Sequence, residues 1–295
     1  MSGNLNKAYR VEITKKIIEA QKSGTAPWQK PWEGDYMPIN ATTGIRYKGI
    51  NSLLLSLVGS ELDKGGDPRW ATYLQAQMKG WRIKKNSKAT QITFWKPVEV
   101  NPESENEDGN VSLTKMKFVM NSFYVFHASQ IEGIPPYIVP KKKVAEEMNE
   151  RIEEIISNSG ADIRHGGFRA FYSPSGDFIQ MPEREYFVNM ESYYATLLHE
   201  LSHWTAHEQR LNRHLSAFKG SLEYAREELI AEISSMFLCS AFGIAQTQEH
   251  FDNHAAYVGS WIKILGSDHN AIFKASSEAE KITDFIIHFS SMKNQ

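Results

Sequence analysis

The chain contains 295 residues, of which 41% are apolar, enough to form globular cores. This length predicts two domains. The single cysteine, Cys239, excludes a disulfide framework and is consistent with a reducing compartment. No apolar run reaches transmembrane length, and the polar first ten residues do not resemble a signal peptide, so we expect a cytoplasmic protein without a membrane partner.

The two parts of the chain differ sharply in charge, although the whole carries only −2. Residues 1–98 have 16 basic and 7 acidic side chains, a net +9, whereas residues 99–295 have 17 and 28, a net −11. Five of the seven tryptophans lie in the first part and all ten histidines in the second. This asymmetry indicates a polyanionic partner for the basic part.

Several elements are predicted for the basic part. In chain order they are a helix over 8–22, an extended stretch over 27–32, a helix over 51–62, a short helix over 68–77, a hairpin over 81–100 that turns at Asn86–Ser87, an acidic mobile loop over 101–112, and strands within 117–126. Because strand-like residues follow the acidic loop, we place the domain boundary later, near residue 133. The predicted domains are therefore residues 1–133 and 134–295.

The basic part interleaves cations with aromatic rings, as proteins that bind single-stranded nucleic acids do. The candidate DNA-binding residues are Trp28, Lys30, Trp32, Arg46, Tyr47, Lys48, Trp70, Trp81, Arg82, Lys84, Lys85, Lys88 and Trp95. Each has a structural alternative, since a tryptophan can be a core residue and a basic turn can simply be solvated. No recognition-helix or zinc-finger pattern is visible, which favours single strands over duplex.

The second part begins with an amphipathic helix over 144–157 and a hairpin formed by 168–172 and 177–182. Largely apolar helices follow around residues 191–203 and 224–238. An edge strand of a small sheet beside such a helix can hold a peptide by strand addition. We expect the strand near 177–181 to be that edge.

The segment His199-Glu200-Leu201-Ser202-His203 has the spacing of an HExxH motif. Residues four apart on a helix share a face, so His199 and His203 can bind one metal ion. Glu200 lies beside them, where its carboxylate can accept a proton from metal-bound water. The structural alternative is a helix whose two histidines make ordinary hydrogen bonds.

A catalytic zinc site needs a third protein ligand. Glu228 and Glu232 are four residues apart on the next helix, and two carboxylates on a largely buried face require partners. We assign Glu228 as the third ligand and Glu232 as the carboxylate that orients a ligand histidine. Glu227 is the alternative ligand if this helix is rotated. The structural alternative for the pair is a solvent-exposed helix face on which Lys or Arg side chains pair with the two carboxylates.

Two histidines are weaker candidates for the third ligand. His207 continues the first helix, where three ligands would span too far for one ion, and His214 requires the intervening loop to fold back. The metzincin pattern is excluded because Gln209 stands where its third histidine would be.

Together these residues resemble the ArdC-type antirestriction proteins of conjugative plasmids. The resemblance covers nearly the whole chain and is carried by Pro27-Trp28 to Trp32, Tyr47 to Asn51, Gly80-Trp81 with the basic turn, Phe94-Trp95-Lys96, Phe126 to Gly133, His199 to Thr205, Arg210 to Arg213, and Glu227 to Glu232. Two positions depart from the pattern. Asn86 replaces a glycine in the basic turn but tolerates a left-handed conformation, and His127 replaces an asparagine, which affects a local hydrogen bond.

The resemblance implies an α+β chain of two domains: a basic α+β domain that binds single-stranded DNA, then a zincin-like, gluzincin-type metallopeptidase domain. It implies protection of incoming plasmid DNA from restriction in a bacterial host. One divalent ion is expected, Zn²⁺ first and Mn²⁺ as the alternative, together with single-stranded DNA and a protein substrate as partners. The alternatives are a binder that protects DNA by occupancy, with a structural or vestigial metal site, and a DNA-tethered protease that acts on DNA-bound proteins.

Overall fold

A computed structural model of the chain describes residues 2–29, 37–63, 66–100, 115–138, 145–215, 220–245 and 257–291. Lys30 and Trp32 and the predicted acidic loop over 101–112 lie outside the described residues. Among the described helices, none is both long enough and apolar enough to cross a membrane.

The chain is of the α+β type, as predicted. In the first part the elements are α1 (Ser2–Lys22), β1 (Ile39–Asn40), α2 (Gly49–Leu62), β2 (Arg69–Thr72), α3 (Tyr73–Met78), β3 (Arg82–Ile83), β4 (Thr90–Val100), β5 (Lys115–His127) and β6 (Ile131–Glu132). In the second part they are α4 (Ala145–Ser159), β7 (Asp162–His165), β8 (Phe171–Ser173), β9 (Phe178–Met181), α5 (Met190–Trp204), α6 (Leu222–Phe242), α7 (Val258–Ser267) and α8 (Ala271–His288).

The sheet of the first part has the order β1-β2-β5-β4, in which β4 and β5 form a long antiparallel pair. The predicted hairpin over 81–100 is therefore wrong: β3 pairs with β6 instead of β4. The predicted helix over 68–77 is also wrong in its first half, where β2 pairs with β5. Both errors concern short segments whose partners are distant in sequence, which local patterns do not reveal.

β4 is an edge strand, and side chains from the helices bond to its outer backbone at Gln91 and Thr93. The Asn51 side chain of α2 donates to the Thr93 carbonyl at 2.8 Å and accepts from the Thr93 amide at 3.0 Å. The Tyr9 hydroxyl of α1 donates to the Gln91 carbonyl at 3.3 Å. Covering an edge in this way prevents another strand from pairing there.

His127, one of the two departures from the family pattern, is buried and well bonded. Its Nδ1 accepts from the Ser129 amide at 3.2 Å, and its Nε2 lies 2.6 Å from the Asp67 carbonyl, to which it donates. The ring also packs edge-on against Trp70 at 4.9 Å. Asn86 adopts a left-handed conformation with φ of 64°, so the turn keeps the backbone that glycine would give it.

The second part contains a three-stranded sheet of order β7-β9-β8 that packs with α5. β8 and β9 form the predicted hairpin. The expectation that residues 177–181 form the edge is wrong, because β9 lies in the centre of this sheet. β8 is the edge strand next to the HExxH helix, since the Tyr172 amide donates to Glu200 on α5.

The two parts share one hydrophobic core. Ile17 of α1, Leu53 of α2, Ile233 of α6 and Ile272 of α8 are fully buried in the same cluster. The opposite face of α6 belongs to a second core, with Leu238 packed among residues of α4, β9 and α5. Because α6 is buried on both faces, it joins the basic part to the part that carries the HExxH segment.

Ion pairs add to this contact between the parts. Arg46 pairs with Glu280 of α8 and lies over the Phe237 ring at 5.4 Å. Lys48 pairs with Asp284 at 2.8 Å, and the Gly49 amide donates to Glu280 at 3.0 Å. The Glu280 carboxylate therefore binds the start of α2 to α8.

The shared core predicts that both parts unfold together. Substitution of Leu53→Ala, in α2, removes a fully buried side chain and is expected to lower the free energy of unfolding by about 2–5 kcal/mol. Urea unfolding followed by tryptophan fluorescence and far-UV circular dichroism measures this, since Trp28 and Trp261 lie in the same cluster. Two separate transitions, with only the first shifted by the substitution, would contradict a shared core.

Candidate metal centre and nucleic-acid surface

The first two candidate ligands lie on α5. This helix begins at Asn189, whose side chain accepts from the Ser192 amide at 2.8 Å, and it continues without Gly or Pro. Its apolar residues face the core under the sheet, and His199 and His203 are buried on the face toward α6. The helical spacing thus brings both imidazoles to the same place, as the motif predicted.

The third candidate ligand lies on α6. Ser221 caps the helix by accepting from the Tyr224 amide at 3.0 Å, and Gly243 ends it in the left-handed conformation. Packing of α5 against α6 buries Glu227, Glu228 and Glu232 between the helices. Of these three carboxylates, only that of Glu228 lies close to the Nε2 atoms of both histidines.

The three ligand atoms form a compact cluster. His199 Nε2 lies 3.2 Å from His203 Nε2 and 3.5 Å from Glu228 Oε2, and His203 Nε2 lies 3.6 Å from Glu228 Oε1. Within the described part of the chain, these residues form the group of potential metal ligands with atoms within 4.8 Å of one another. Metal–ligand bonds of about 2.0–2.2 Å in a tetrahedron separate ligand atoms by about 3.3–3.6 Å, so the residues fit a zinc-sized ion.

Two further carboxylates lie next to the other ring nitrogens of the histidines. Glu232 Oε1 lies 3.3 Å from His199 Nδ1, and Glu227 Oε1 lies 3.3 Å from His203 Nδ1. Carboxylates in these positions fix the ring orientation and tautomer of metal-binding histidines. Glu227, the alternative ligand in the sequence, is therefore placed behind His203 and not at the cluster of three.

Arg213 anchors Glu227 and was not identified from the sequence as a site residue. Its Nη2 donates to Glu227 at 2.7 Å and to the Ser202 carbonyl at 2.9 Å, and its Nη1 donates to the Thr205 hydroxyl at 2.7 Å. The guanidinium thus ties the end of α5 to α6. The weaker ligand candidates lie elsewhere, since His214 is exposed and His207 accepts from the Gln209 amide at 3.2 Å.

Glu200 lies at the edge of the small sheet. Its Oε2 accepts from the Tyr172 amide of β8 at 2.9 Å. Tyr172 is itself held, because its hydroxyl donates to Asp177 at 2.8 Å. Arg210 pairs with Asp177, and its guanidinium lies over the Trp204 ring at 3.9 Å. Hydrogen bonds from Arg210 keep the pKa of Asp177 below its usual value. The carboxylate of the HExxH glutamate is thereby oriented by the edge strand.

Two tyrosines beside the cluster were also missed. Tyr224 is one helical turn before Glu228 on α6, and Tyr257 lies close enough for its hydroxyl to approach that of Tyr224 at 3.5 Å. Burial, the charge of Glu228 and the hydrogen bond to Tyr257 raise the pKa of Tyr224. The (i, i+4) spacing of Tyr224 and Glu228 is visible in the sequence, whereas Tyr257 approaches only through the fold.

The predicted DNA-binding residues divide into buried and exposed groups. Trp28, Tyr47 and Trp70 are buried in hydrophobic clusters, so the expectation that they stack on bases is wrong for this structure. Arg46 and Lys48 pair with carboxylates of α8. Lys48 nevertheless remains exposed, and so do the cations of the basic turn and its flanks, namely Arg82, Lys84, Lys85 and Lys88. Trp95 is 47% exposed and Trp81 is half-buried.

The β4–β5 pair exposes further aromatic rings that the sequence did not single out. Directly paired residues share a face, so Trp95 with Met120 and Tyr124 with Gln91 lie on the same face of the pair. Phe94 and Phe123 lie on the opposite face and contact each other edge-on at 5.6 Å. Exposure of large aromatic rings on a sheet next to a basic turn is typical of a surface that stacks bases.

Comparisons with known proteins match two families to successive regions of the chain. Residues 7–126 match the family described as the N-terminal domain of anti-restriction factor ArdC, and residues 150–278 match the zincin-like metallopeptidase family. The crystal structure of the antirestriction protein ArdC from the R388 plasmid, in its metal-free form, is 34% identical with a TM-score of 0.78. The match covers 97% of this chain and 99% of that one.

The chain belongs to the ArdC antirestriction family. The Mn(II)-bound form of the same R388 protein is equally similar, with a TM-score of 0.77 and 35% identity. An uncharacterised protein, y4eC of Sinorhizobium fredii (strain NBRC 101917 / NGR234), is 34% identical over 93% of this chain and 90% of its own length. The Mn(II)-bound relative and the zincin-like family match both support a divalent metal at the centre of this ArdC-family chain.

Two longer proteins are also similar. Two proteins named DNA primase TraC from Escherichia coli are 43% and 42% identical over 99% and 98% of this ArdC-family chain. The chain spans only 28% and 20% of their lengths. This region therefore occurs both in proteins of about this size and within longer ones.

The electrostatics of the centre favour positively charged groups between the helices. Burial lowers the pKa of the His203 imidazole, but Glu228 and Glu227 more than offset this and raise it to about 9. Glu228 in turn has a pKa below its usual value, because the two histidines outweigh the effect of its burial. Because metal-ligating imidazoles must be neutral, binding of an ion here would release any proton that the histidines carry.

The ligand geometry predicts which substitutions remove the metal. His203→Ala is expected to abolish stoichiometric binding of one divalent ion, because it removes one of three ligands. Glu200→Ala is expected to retain the ion, since Glu200 is bonded to Tyr172 and lies outside the cluster of three. Metal content after dialysis, measured by inductively coupled plasma mass spectrometry, tests both variants. Unchanged metal in the His203 variant would end this assignment.

The carboxylates behind the histidines predict a smaller effect. Glu232→Gln keeps the size of the side chain but removes the charge facing His199 Nδ1, and metal affinity is expected to fall about 10–100-fold. Competition with a chromogenic chelator measures this change. Glu223→Gln, an exposed residue in the first turn of α6, is the matched control and should bind like the parent. Equal affinity in the Glu232 and Glu223 variants would contradict the orienting role.

Proposed function

We propose that this chain binds single-stranded DNA through its basic first part, hydrolyses peptide bonds at the centre between α5 and α6, and protects incoming plasmid DNA from restriction. The observation that carries the enzymatic part is the joint position of three ligand atoms and Glu200. The ligand atoms of His199, His203 and Glu228 face one point, and the carboxylate of Glu200 is held beside the edge strand. A vestigial or purely structural site does not require an oriented glutamate next to an open strand edge.

The proposed reaction assigns a role to each group of this chain. His199, His203 and Glu228 would hold a divalent ion, which when bound would supply Lewis acidity toward a peptide carbonyl and a water molecule. Glu200 accepts the proton of the attacking water and passes it to the amine that leaves. The Tyr172 amide keeps this carboxylate in a fixed orientation while it does so.

The proposed substrate is an extended peptide. β8 is an edge strand of its sheet and turns the Tyr172 amide toward Glu200, so its open side faces the candidate centre. A peptide paired along that side would present its backbone to Glu200, as in recognition by strand addition. The exposed ring of Phe171 on β8 lies beside this path.

The proposed DNA surface combines the exposed cations of the basic turn with the exposed rings of the β4–β5 pair. Lys85 and Lys88 extend into solvent, whereas the Lys84 ammonium donates to the Ser129 carbonyl at 2.7 Å. Trp95 and Tyr124 supply the faces for stacking, each half exposed. Single strands suit this surface because their bases are free to stack. Occupancy by such binding is the first step of protection.

The enzymatic part is tested with Glu200→Gln, which keeps the shape of the side chain but cannot act as a base. Cleavage of a denatured protein substrate is expected to fall about 10²–10⁴-fold, with metal content unchanged. The same variant is then compared with the parent for transfer of unmodified plasmid DNA into a restricting host. If the variant protects DNA fully, protection arises from occupancy alone, and the peptidase has no part in it.

The DNA part is tested with a triple substitution of Lys84, Lys85 and Lys88 to Gln in the full chain. Affinity for labelled oligothymidine should fall, and the slope of log K against log salt should become shallower by about 2, since each lost phosphate contact on a single strand contributes about 0.7. Lys263→Gln, an exposed lysine on α7, is the control. Unchanged slope, or tighter binding of duplex than of single strands at equal salt, contradicts this surface.

A further inference from the structure

A cleft lies between α1 and the turn that joins α7 to α8. Its volume is about 650 Å³. Lys7 and Arg10 of α1 line one side, and Asp268, Asn270 and Lys274 line the other. The cleft is therefore built from both family regions of the chain, and neither the basic turn nor the metal centre takes part in it.

The charge of the cleft is positive. Lys7, Arg10 and Lys274 face it together with a single carboxylate, that of Asp268. The Lys274 ammonium lies 3.8 Å from Asp268 and its side chain is 71% exposed, so this pair is loose. Three cations against one carboxylate leave the cleft suited to an anion.

Arg10 is held in place without being neutralised. Its Nε donates to the Asn6 side-chain oxygen at 2.8 Å, and its Nη1 donates to the Asn270 side-chain oxygen at 2.7 Å. Both acceptors are neutral amides, and among the described residues no ion pair involves Arg10. A guanidinium fixed by neutral partners at the wall of a cleft is preorganised to bind a phosphate group.

The same guanidinium connects the cleft to the exposed aromatic face. Arg10 lies 5.5 Å from the centre of the Trp95 ring and 5.0 Å from that of Phe273. Trp95 is 47% exposed, on the same face of the β4–β5 pair as Tyr124. A nucleic-acid strand alternates charged phosphates with flat bases, and here a cationic cleft stands directly beside a ring on which a base can stack.

We propose that this cleft is a phosphate-binding subsite for single-stranded DNA, with a neighbouring base stacked on Trp95. The inference rests on the proposed DNA-binding function and extends it: Asn270 and Lys274, in the zincin-like region, bind the same strand as the basic turn. The bound strand then crosses from β4 over α1 to the start of α8. Binding of DNA is thereby a property of both parts of the chain.

The experiment uses the full chain and a labelled oligothymidine of about 15 nucleotides, within the range that single-strand binders cover. The double substitution Lys7→Gln with Lys274→Gln is expected to make the slope of log K against log salt shallower by about 1.4, because two contacts of about 0.7 are lost. Asp268→Asn is expected to tighten binding several-fold. Lys281→Gln is the matched control, since Lys281 is an exposed lysine on α8 paired with Glu278.

The outcomes separate this subsite from the proposed function. If the parent chain does not bind oligothymidine at low salt, the DNA-binding function fails and this inference fails with it. If the parent binds and the basic-turn variant loses slope, but the double variant behaves like the Lys281 control, only the subsite is overturned. A shallower slope in both variants, with Asp268→Asn tighter than the parent, supports it.

A second arm distinguishes a DNA phosphate from a free anion. Inorganic phosphate is titrated into the parent and the double variant at constant ionic strength, with and without oligothymidine. Competition between phosphate and oligothymidine that the double variant lacks supports the subsite. Binding of phosphate to the parent that oligothymidine does not displace assigns the cleft to a free anion and overturns the proposal. Circular dichroism confirms that the exposed substitutions leave the fold intact.

Discussion

Burial of charged groups between α5 and α6 is the constraint on which the rest of the structure depends. Unpaired charges in such an interior are costly, so every carboxylate there requires a partner. Glu227 has Arg213 and His203, Glu232 has His199, and Glu228 lies against both histidines. The arrangement brings the Nε2 atoms of the histidines together and leaves one carboxylate facing them. These three groups form a set of ligands suited to a divalent ion.

The helices that carry these charges hold their positions because α6 is buried on both faces. One face packs on α1, α2, α7 and α8, and the other packs on α4, α5 and the small sheet. A shift of α6 would disturb both cores at once and would separate Glu228 from the histidines of α5. The precision of the centre therefore depends on residues of the basic part, such as Leu53 and Ile17, that lie far from it in sequence.

The same packing determines which aromatic residues can meet a nucleic acid. Trp28 and Trp70 are buried in the cores, whereas Trp95 and Tyr124 of the β4–β5 pair remain exposed. Arg46 and Lys48 likewise form ion pairs with carboxylates of α8. The acidic part thus neutralises some of the positive charge of the basic part, while the turn after β3 and α1 carry further basic side chains.

The sequence by itself determined the local features of this protein. Helical spacing identified His199, Glu200 and His203, and the pair Glu228 and Glu232 followed from two carboxylates on an apolar helix face, because residues four apart meet on any helix. Charge and tryptophan content separated the basic part from the acidic part, and the motifs along the whole chain indicated the family.

Only the tertiary structure decided how these pieces meet. Pairing of β3 with β6, the central position of β9 and the shared core are contacts between residues distant in sequence, which no local period specifies. The same holds for the choice of Glu228 over Glu227, since the rotation of α6 is fixed by its packing. Tertiary structure also decided which tryptophans are buried, because a large ring next to a cation has the same sequence pattern whether it lies in a core or on a surface.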